Sequence, residues 1–267
     1  MKRTASFIML AVVLLFLYLP IIILAVYSFT DSANIGTIHA FSLHNYKYLF
    51  TSPDLLAMIG GTLMLALGSA FLATILGTMG AIGAFYSKNR VKGFVNTANQ
   101  IPVVNADVVT GFSICILLIV VFGVSKDTYI PMVVGHVTLL TPFVYLSVMP
   151  KLKQMDNNIY EAALDLGATQ SQALFKVLLP QIMPGILSGF VLAVTLSLDD
   201  YFISTYTKPA TFDTISTYVV NATKGSQTDV KTALWALSTV IFVLVIMLVL
   251  VMNISSKKDE KSAKEEV

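Results

Sequence analysis

Residues 128–150 read TYIPMVVGHVTLLTPFVYLSVMP, 23 residues without an Asp, Glu, Lys or Arg. As a helix they rise about 35 Å, enough to cross a hydrocarbon layer of about 30 Å. The run stops at Lys151-Leu152-Lys153, and basic residues gather where a span meets the cytoplasm. Similar runs flank it. Toward the N-terminus lie 101–124, interrupted by Asp107, then 56–86 and 7–29. Toward the C-terminus lie 181–205, interrupted by Asp199 and Asp200, and 232–252. The expectation is an all-α integral membrane protein: a six-helix transmembrane domain over 1–252 and a charged tail over 253–267.

Composition agrees. Of 267 residues, 56% are apolar and 12% are Asp, Glu, Lys or Arg, against about 25% charge in an ordinary soluble domain. That is too little charge for the surface of a soluble enzyme and too much apolar content for a disordered chain. The lone Cys115 forms no internal disulfide, and a net charge of +2 offers no field for nucleic acid. The first run begins after Lys2 and Arg3, exceeds the roughly 7–15 residues of a signal-peptide core, and continues through Pro20 to Phe29 without a small-x-small cleavage site. It is expected to be a retained helix. With six crossings, twelve Lys and Arg fall on the side of the termini and five opposite, which places both termini in the cytoplasm.

Between the fourth and fifth runs lies a segment of about 30 residues, Lys151–Pro180, on the inner side. Asp156-Asn157-Asn158 supplies helix-capping side chains, Ile159–Leu166 are helix formers, and Gly167 is suited to the left-handed residue that ends a helix. A second helical stretch, Thr169–Leu179, is expected to stop at Pro180. The residues alone fit two uses: a small-faced helix that docks into another protein, or an amphipathic helix lying on lipid headgroups.

The spacing within this segment carries a resemblance. Glu161-Ala162-Ala163, three residues, Gly167, nine residues, then Val177-x-Leu179-Pro180 resembles the EAA signature of ABC-importer permeases, with Val177 in place of the usual Ile. Tyr18–Ile23, Ser28-Phe29 and Phe41–Tyr46 look like the start of the spermidine/putrescine permeases, and Ser197-Leu198-Asp199-Asp200 is similar to the Ser-x-Asp-Asp of the C-type subunit of that importer. The resemblance implies the MetI-like fold of type I importers. It also implies that Glu161, Ala162, Ala163 and Gly167 form a cytoplasmic coupling helix seated on an ATPase. The implied partners are a second, B-type permease, an ATPase dimer that uses ATP and Mg²⁺, and an extracytoplasmic polyamine-binding protein, in a bacterial inner membrane. This chain has no G-x-x-x-x-G-K-[S/T] loop, so it is expected to be a non-catalytic subunit without a cofactor of its own.

Carboxylates within spans cost roughly 2.5–3.5 kcal/mol each on insertion scales, so Asp107, Asp199 and Asp200 require a reason. A polycationic cargo supplies one, because it favours the ionised form. On an unbroken helix Ser197, Asp200, Tyr201 and Ser204 share one face, which is expected to line the passage, with Asp199 about 100° away, either joining the pathway or pairing with a neighbouring helix. Tyr145, Tyr201, Phe202 and Tyr206 are available as ring faces for ammonium groups. Asp107 fits either a later station on the route or a cap on a helix broken after Pro102. Gly77, Gly80 and Gly83 read as a packing face, and His136 as a satisfied buried histidine rather than a metal ligand. Two other readings stay open. One is a permease for another organic cation or small solute; the other is a secondary transporter acting alone, for which no paired broken repeat is evident.

Overall fold

A computed structural model of the chain describes residues 2–30, 40–224, 232–243 and 246–247. The tail 253–267 and the last part of the sixth apolar run lie outside the described residues. Among the described residues the structure is helical, apart from one antiparallel bridge between Thr30 and Phe41. It divides into two compact units, Met1–Leu56 with Val219–Val267, and Ala57–Tyr218.

In the first unit, α1 (Lys2–Ser28) is followed by the short α2 (His44–Thr51). The two stretches that carried the family resemblance here meet. Asn45 is buried, and its amide donates to the carbonyls of Ser28 (3.1 Å) and Thr30 (2.9 Å), groups left free where α1 ends. The Ser28 and Tyr46 hydroxyls lie 2.8 Å apart. The Trp235 ring stands edge-on to Tyr27 at 5.9 Å, and Phe242 meets Tyr18 at 6.3 Å. Both partners of α1 come from the apolar helix Thr232–Val243, the twelfth in chain order.

The second unit holds most of α3 (Pro53–Tyr86), then α4 (Asn89–Val104), α5 (Asp107–Ile116), α6 (Ile130–Gln154), α7 (Asn157–Asp165), α8 (Gln170–Ala173), α9 (Leu179–Asp199) and α10 (Phe202–Thr207), and the start of α11 (Ile215–Lys224). Helix α6 is central and packs on α4, α5, α9 and α10. Its Leu140, Val144, Val148 and Leu152 are buried with Ala70, Ala73, Ala81 and Ala84 of α3 and with Ile182 and Ala193 of α9. Small residues set the spacing. A Cβ on Gly189 would lie 3.2 Å from the Val144 Cα, so α9 lies close against α6. Gly77 turns toward α6 of the same chain, where its Cβ would stand 2.9 Å from the Thr141 carbonyl oxygen.

Three features depart from the expected straight spans. The run 101–124 bends by 106° between α4 and α5, where Asn105 and Ala106 are extended. Pro102 stays inside α4, and the break falls after it at Asn105, a residue type that bonds to nearby backbone rather than continuing a helix. Beyond Pro180 the helix does not restart; it passes through. Residues 170–199 form one continuous helix, with a widened π turn at Leu174–Leu178 just before the proline. A proline removes an N–H and crowds the carbonyl four residues back, and the wider turn makes room for both. Finally, the run 181–205 is not one helix: α9 ends at Asp199 and α10 begins at Phe202.

Candidate functional site: a broken span and the segment between α6 and α9

The α9–α10 break is built around Asp200. Its backbone is extended, with φ −66° and ψ 120°, and its side chain turns back over the next helix. One carboxylate oxygen accepts from the Ile203 amide (3.2 Å) and the other from the Ser204 amide (2.7 Å), so Asp200 caps α10. Hydrogen bonds to a charged acceptor contribute about 1.5–3 kcal/mol each, which offsets much of the cost of burial. Ser216 closes the other side by donating to the Leu198 carbonyl at 2.9 Å. Helix α10 can sit here because two glycines leave room. A Cβ on Gly111 of α5 would lie 3.0 Å from the Ile203 Cα, and one on Gly135 of α6 would lie 2.7 Å from the Ile203 Cγ2.

Opposite Asp200 stands His136 of α6, fully buried, with its Nε2 3.6 Å from an Asp200 carboxylate oxygen and 3.4 Å from the Ser204 hydroxyl. Its Nδ1 lies 2.9 Å from the Met132 carbonyl. The satisfied-histidine reading of His136 therefore holds for Nδ1 and is incomplete for Nε2, which faces the carboxylate.

The expected pathway residues divide. Asp107 is exposed, in the first turn of α5, where the helix dipole favours a negative charge, and its carboxylate is near enough to Asp200 for the two to repel. Packing of α10 on α5 thus places the two helix breaks, each with its acid, on neighbouring elements. Asp199 is exposed at the last residue of α9, without a hydrogen bond or ion pair among the described residues. Ser197 is buried with an unpartnered hydroxyl. Tyr201 is half-buried and edge-on to Phe202 at 5.3 Å. The expected shared face of Ser197, Asp200, Tyr201 and Ser204 does not form, because the helix stops between the first and the last of them. Tyr145 is 3% exposed and donates to the Asn96 side chain, so its ring is not open to a passing solute. Among the described residues no cluster of His, Cys, Asp and Glu is suited to a metal ion.

Between α6 and α9, α7 starts and ends as its residues direct. Asp156 accepts from the Asn158 amide at 3.0 Å and starts α7. Gly167, at φ +87°, ends it: the Gly167 and Ala168 amides donate back to Leu164 (2.9 Å) and Ala163 (3.0 Å), a Schellman closure. Thr169 and Gln172 form a reciprocal capping box that starts the next helix. Tyr160 holds α7 against Tyr86 at 5.5 Å between ring centres. Glu161, Ala162 and Gly167 stay exposed, Ala163 is half-buried, and Leu166 is 89% exposed.

Residues 1–258 match the family model described as the inner membrane component of binding-protein-dependent transport systems. The chain belongs to that family. It is 30% identical to the Escherichia coli spermidine/putrescine transport system permease protein PotC over 247 residues, 92% of this chain and 91% of the relative. It is 31% identical to the Haemophilus influenzae PotC over 248 residues, 93% of this chain and 95% of that one. It is 36% identical to the E. coli putrescine transport system permease protein PotI over 200 residues, 72% of this chain and 70% of that one. Among solved structures, a chain of a bacterial ABC transporter involved in the import of alginate superposes with a TM-score of 0.72 over 94% of both chains at 18% identity. An alginate transporter in complex with a periplasmic protein gives 0.70 over 92% of both. The fold is therefore that of ABC-importer permeases, and this family member is a membrane component of a transport system.

Proposed function

We propose that this family member carries polyamines, as the permeases it resembles are named for doing. In this reading it crosses the membrane six times with both termini inside. It pairs with a second permease, receives cargo from an extracytoplasmic binding protein, and draws work from an ATPase dimer seated on α7. The exposed Glu161, Ala162, Gly167 and Leu166 make the docking face, and Gly167 fixes the angle at which it is presented.

One observation carries the cargo class. Asp199 is a carboxylate at the negative end of a helix, exposed in a chain with little charge, and without a partner among the described residues. A helix C-terminus disfavours an anion and favours a cation, so this position is uncomfortable unless positive charge visits it. Asp107 and Asp200 add negative charge nearby, and the rings of Tyr201 and Phe202 offer faces to ammonium groups. A flexible chain of ammonium groups and methylenes suits that mixture.

The test is ATP-driven uptake of labelled spermidine and putrescine by the complete importer in vesicles. Asp199→Asn is expected to lower polyamine uptake by tenfold or more, a loss of about 1.4 kcal/mol or greater, with the complex still assembled. Unchanged uptake removes Asp199 from the route. Uptake of a different organic cation or solute in place of polyamines replaces the cargo.

A further inference from the structure

The buried contact between α6 and the α9–α10 break has an unusual proton count. A carbonyl oxygen only accepts, so the His136 Nδ1, 2.9 Å from the Met132 carbonyl, carries a hydrogen. In a neutral ring Nε2 is then a bare lone pair. That lone pair faces an Asp200 carboxylate oxygen at 3.6 Å, with side chains 0% and 3% exposed. Two electron-rich atoms so placed away from water repel, unless a proton belongs to the pair. The Ser204 hydroxyl, 3.4 Å from the same nitrogen, supplies a hydrogen when that proton is gone. Both protonation states therefore have a partner already in place.

The surroundings sharpen the balance. From α5 comes the Asp107 carboxylate, within repelling range of Asp200. From α9 comes the exposed Asp199, and from α10 the uncharged Ser204. Helix α4 has no charged residue beyond Lys92, which sits over the Phe85 ring, and α6 has none before Lys151. Lys208, past the end of α10, is held by Asp213 at 2.8 Å. Among the described residues, the only cation within ion-pair distance of Asp107, Asp199 or Asp200 is His136, when protonated.

We propose that His136 is a positioning residue that shares one proton with Asp200, and that a cationic cargo arriving at the neighbouring acids replaces this proton. The proton passes to water, Asp200 remains an anion capping α10, and neutral His136 accepts the Ser204 hydroxyl. The pair would then report cargo occupancy as a protonation change at the bend of the span. The polyamine component rests on the function proposed above; the proton exchange requires only a cation.

The experiment uses the assembled importer in lipid nanodiscs under weak buffer, with a pH-indicator dye. Spermidine is added to the wild type and to His136→Gln, which keeps a donor near Asp200 but has no proton to release. The wild type is expected to release protons that His136→Gln does not, and the pH profile of uptake is expected to flatten in the variant. Ser204→Ala is a milder second variant if His136→Gln fails to assemble. It removes the partner of the neutral ring, so proton release shrinks and the uptake optimum moves to higher pH. Equal release by wild type and His136→Gln overturns the proposal, as does an uptake profile that neither variant changes. If spermidine is not carried but another organic cation is, with release lost in the variants, the cargo reading fails and the exchange stands. If no cation is carried, both fall.

Discussion

The tightest constraints at the residue scale surround Ile203. Its Cα and side chain lie where a Cβ on Gly111 or Gly135 would go, so α10 is held between two glycines. Gly135→Ala would place a methyl 2.7 Å from the Ile203 Cγ2, against a fully buried β-branched side chain. Overpacking of this kind costs about 1–3 kcal/mol, so the thermal unfolding midpoint of the solubilised protein is expected to fall. An unchanged midpoint would mean that α10 does not press on α6. The glycines are plain in the sequence, but their partner is not, since a contact between distant helices leaves no local pattern. His136 shows the same limit. It stands 68 residues before Ser204, and only the fold makes it a neighbour of Asp200. The acids themselves were legible, because carboxylates in apolar runs are conspicuous. What Asp200 does for the backbone was not, because the break it caps contains neither Gly nor Pro.

Among the elements, α7 is the one most fully written in its own residues. Asp156 begins it and Gly167 ends it by local hydrogen bonds that need no tertiary context. Gly167→Ala forces an L side chain to adopt φ near +87°, at a cost of about 1–2 kcal/mol. The expected result is a misdirected α7, seen as ATP hydrolysis by the assembled importer that is no longer stimulated by cargo. Stimulation equal to wild type would detach the loop's shape from coupling. The neighbouring proline misled for a physical reason. A proline in a regular helix breaks it, so Pro180 reads as a stop, yet the π turn at Leu174–Leu178 absorbs it and the helix continues. No composition rule signals where a helix widens. The bend before Asp107 was half legible: Asp107 as a cap on a broken helix was one of its two readings, and the structure puts it in the first turn of α5 with Ala106 at the cap position.

At the scale of the molecule, apolar length was the strongest signal. Four described helices are long and apolar enough to cross a membrane, and the number is five if the bent pair α4–α5 is one span. The sixth run is described over Thr232–Val243 as an apolar helix shorter than a crossing needs. The direction of the chain can be read by labelling. With Cys115→Ser removing the native thiol, a thiol-reactive, membrane-impermeant probe on intact cells should reach Ser125→Cys, and should reach Ala162→Cys only after the inner membrane is opened. The reverse pattern would invert the topology. The uninterrupted helix over 170–199 has a consequence of its own. It is about 45 Å of rod between α7, the proposed handle, and the acids. A rod transmits torsion: turning one end turns the other. Adding a single residue within Leu174–Leu178 would rotate Asp199 by about 100° relative to the handle while leaving both ends chemically intact. An importer built with such a chain is expected to assemble and its ATPase subunits to hydrolyse ATP, with the engine geared to the wrong side of the shaft.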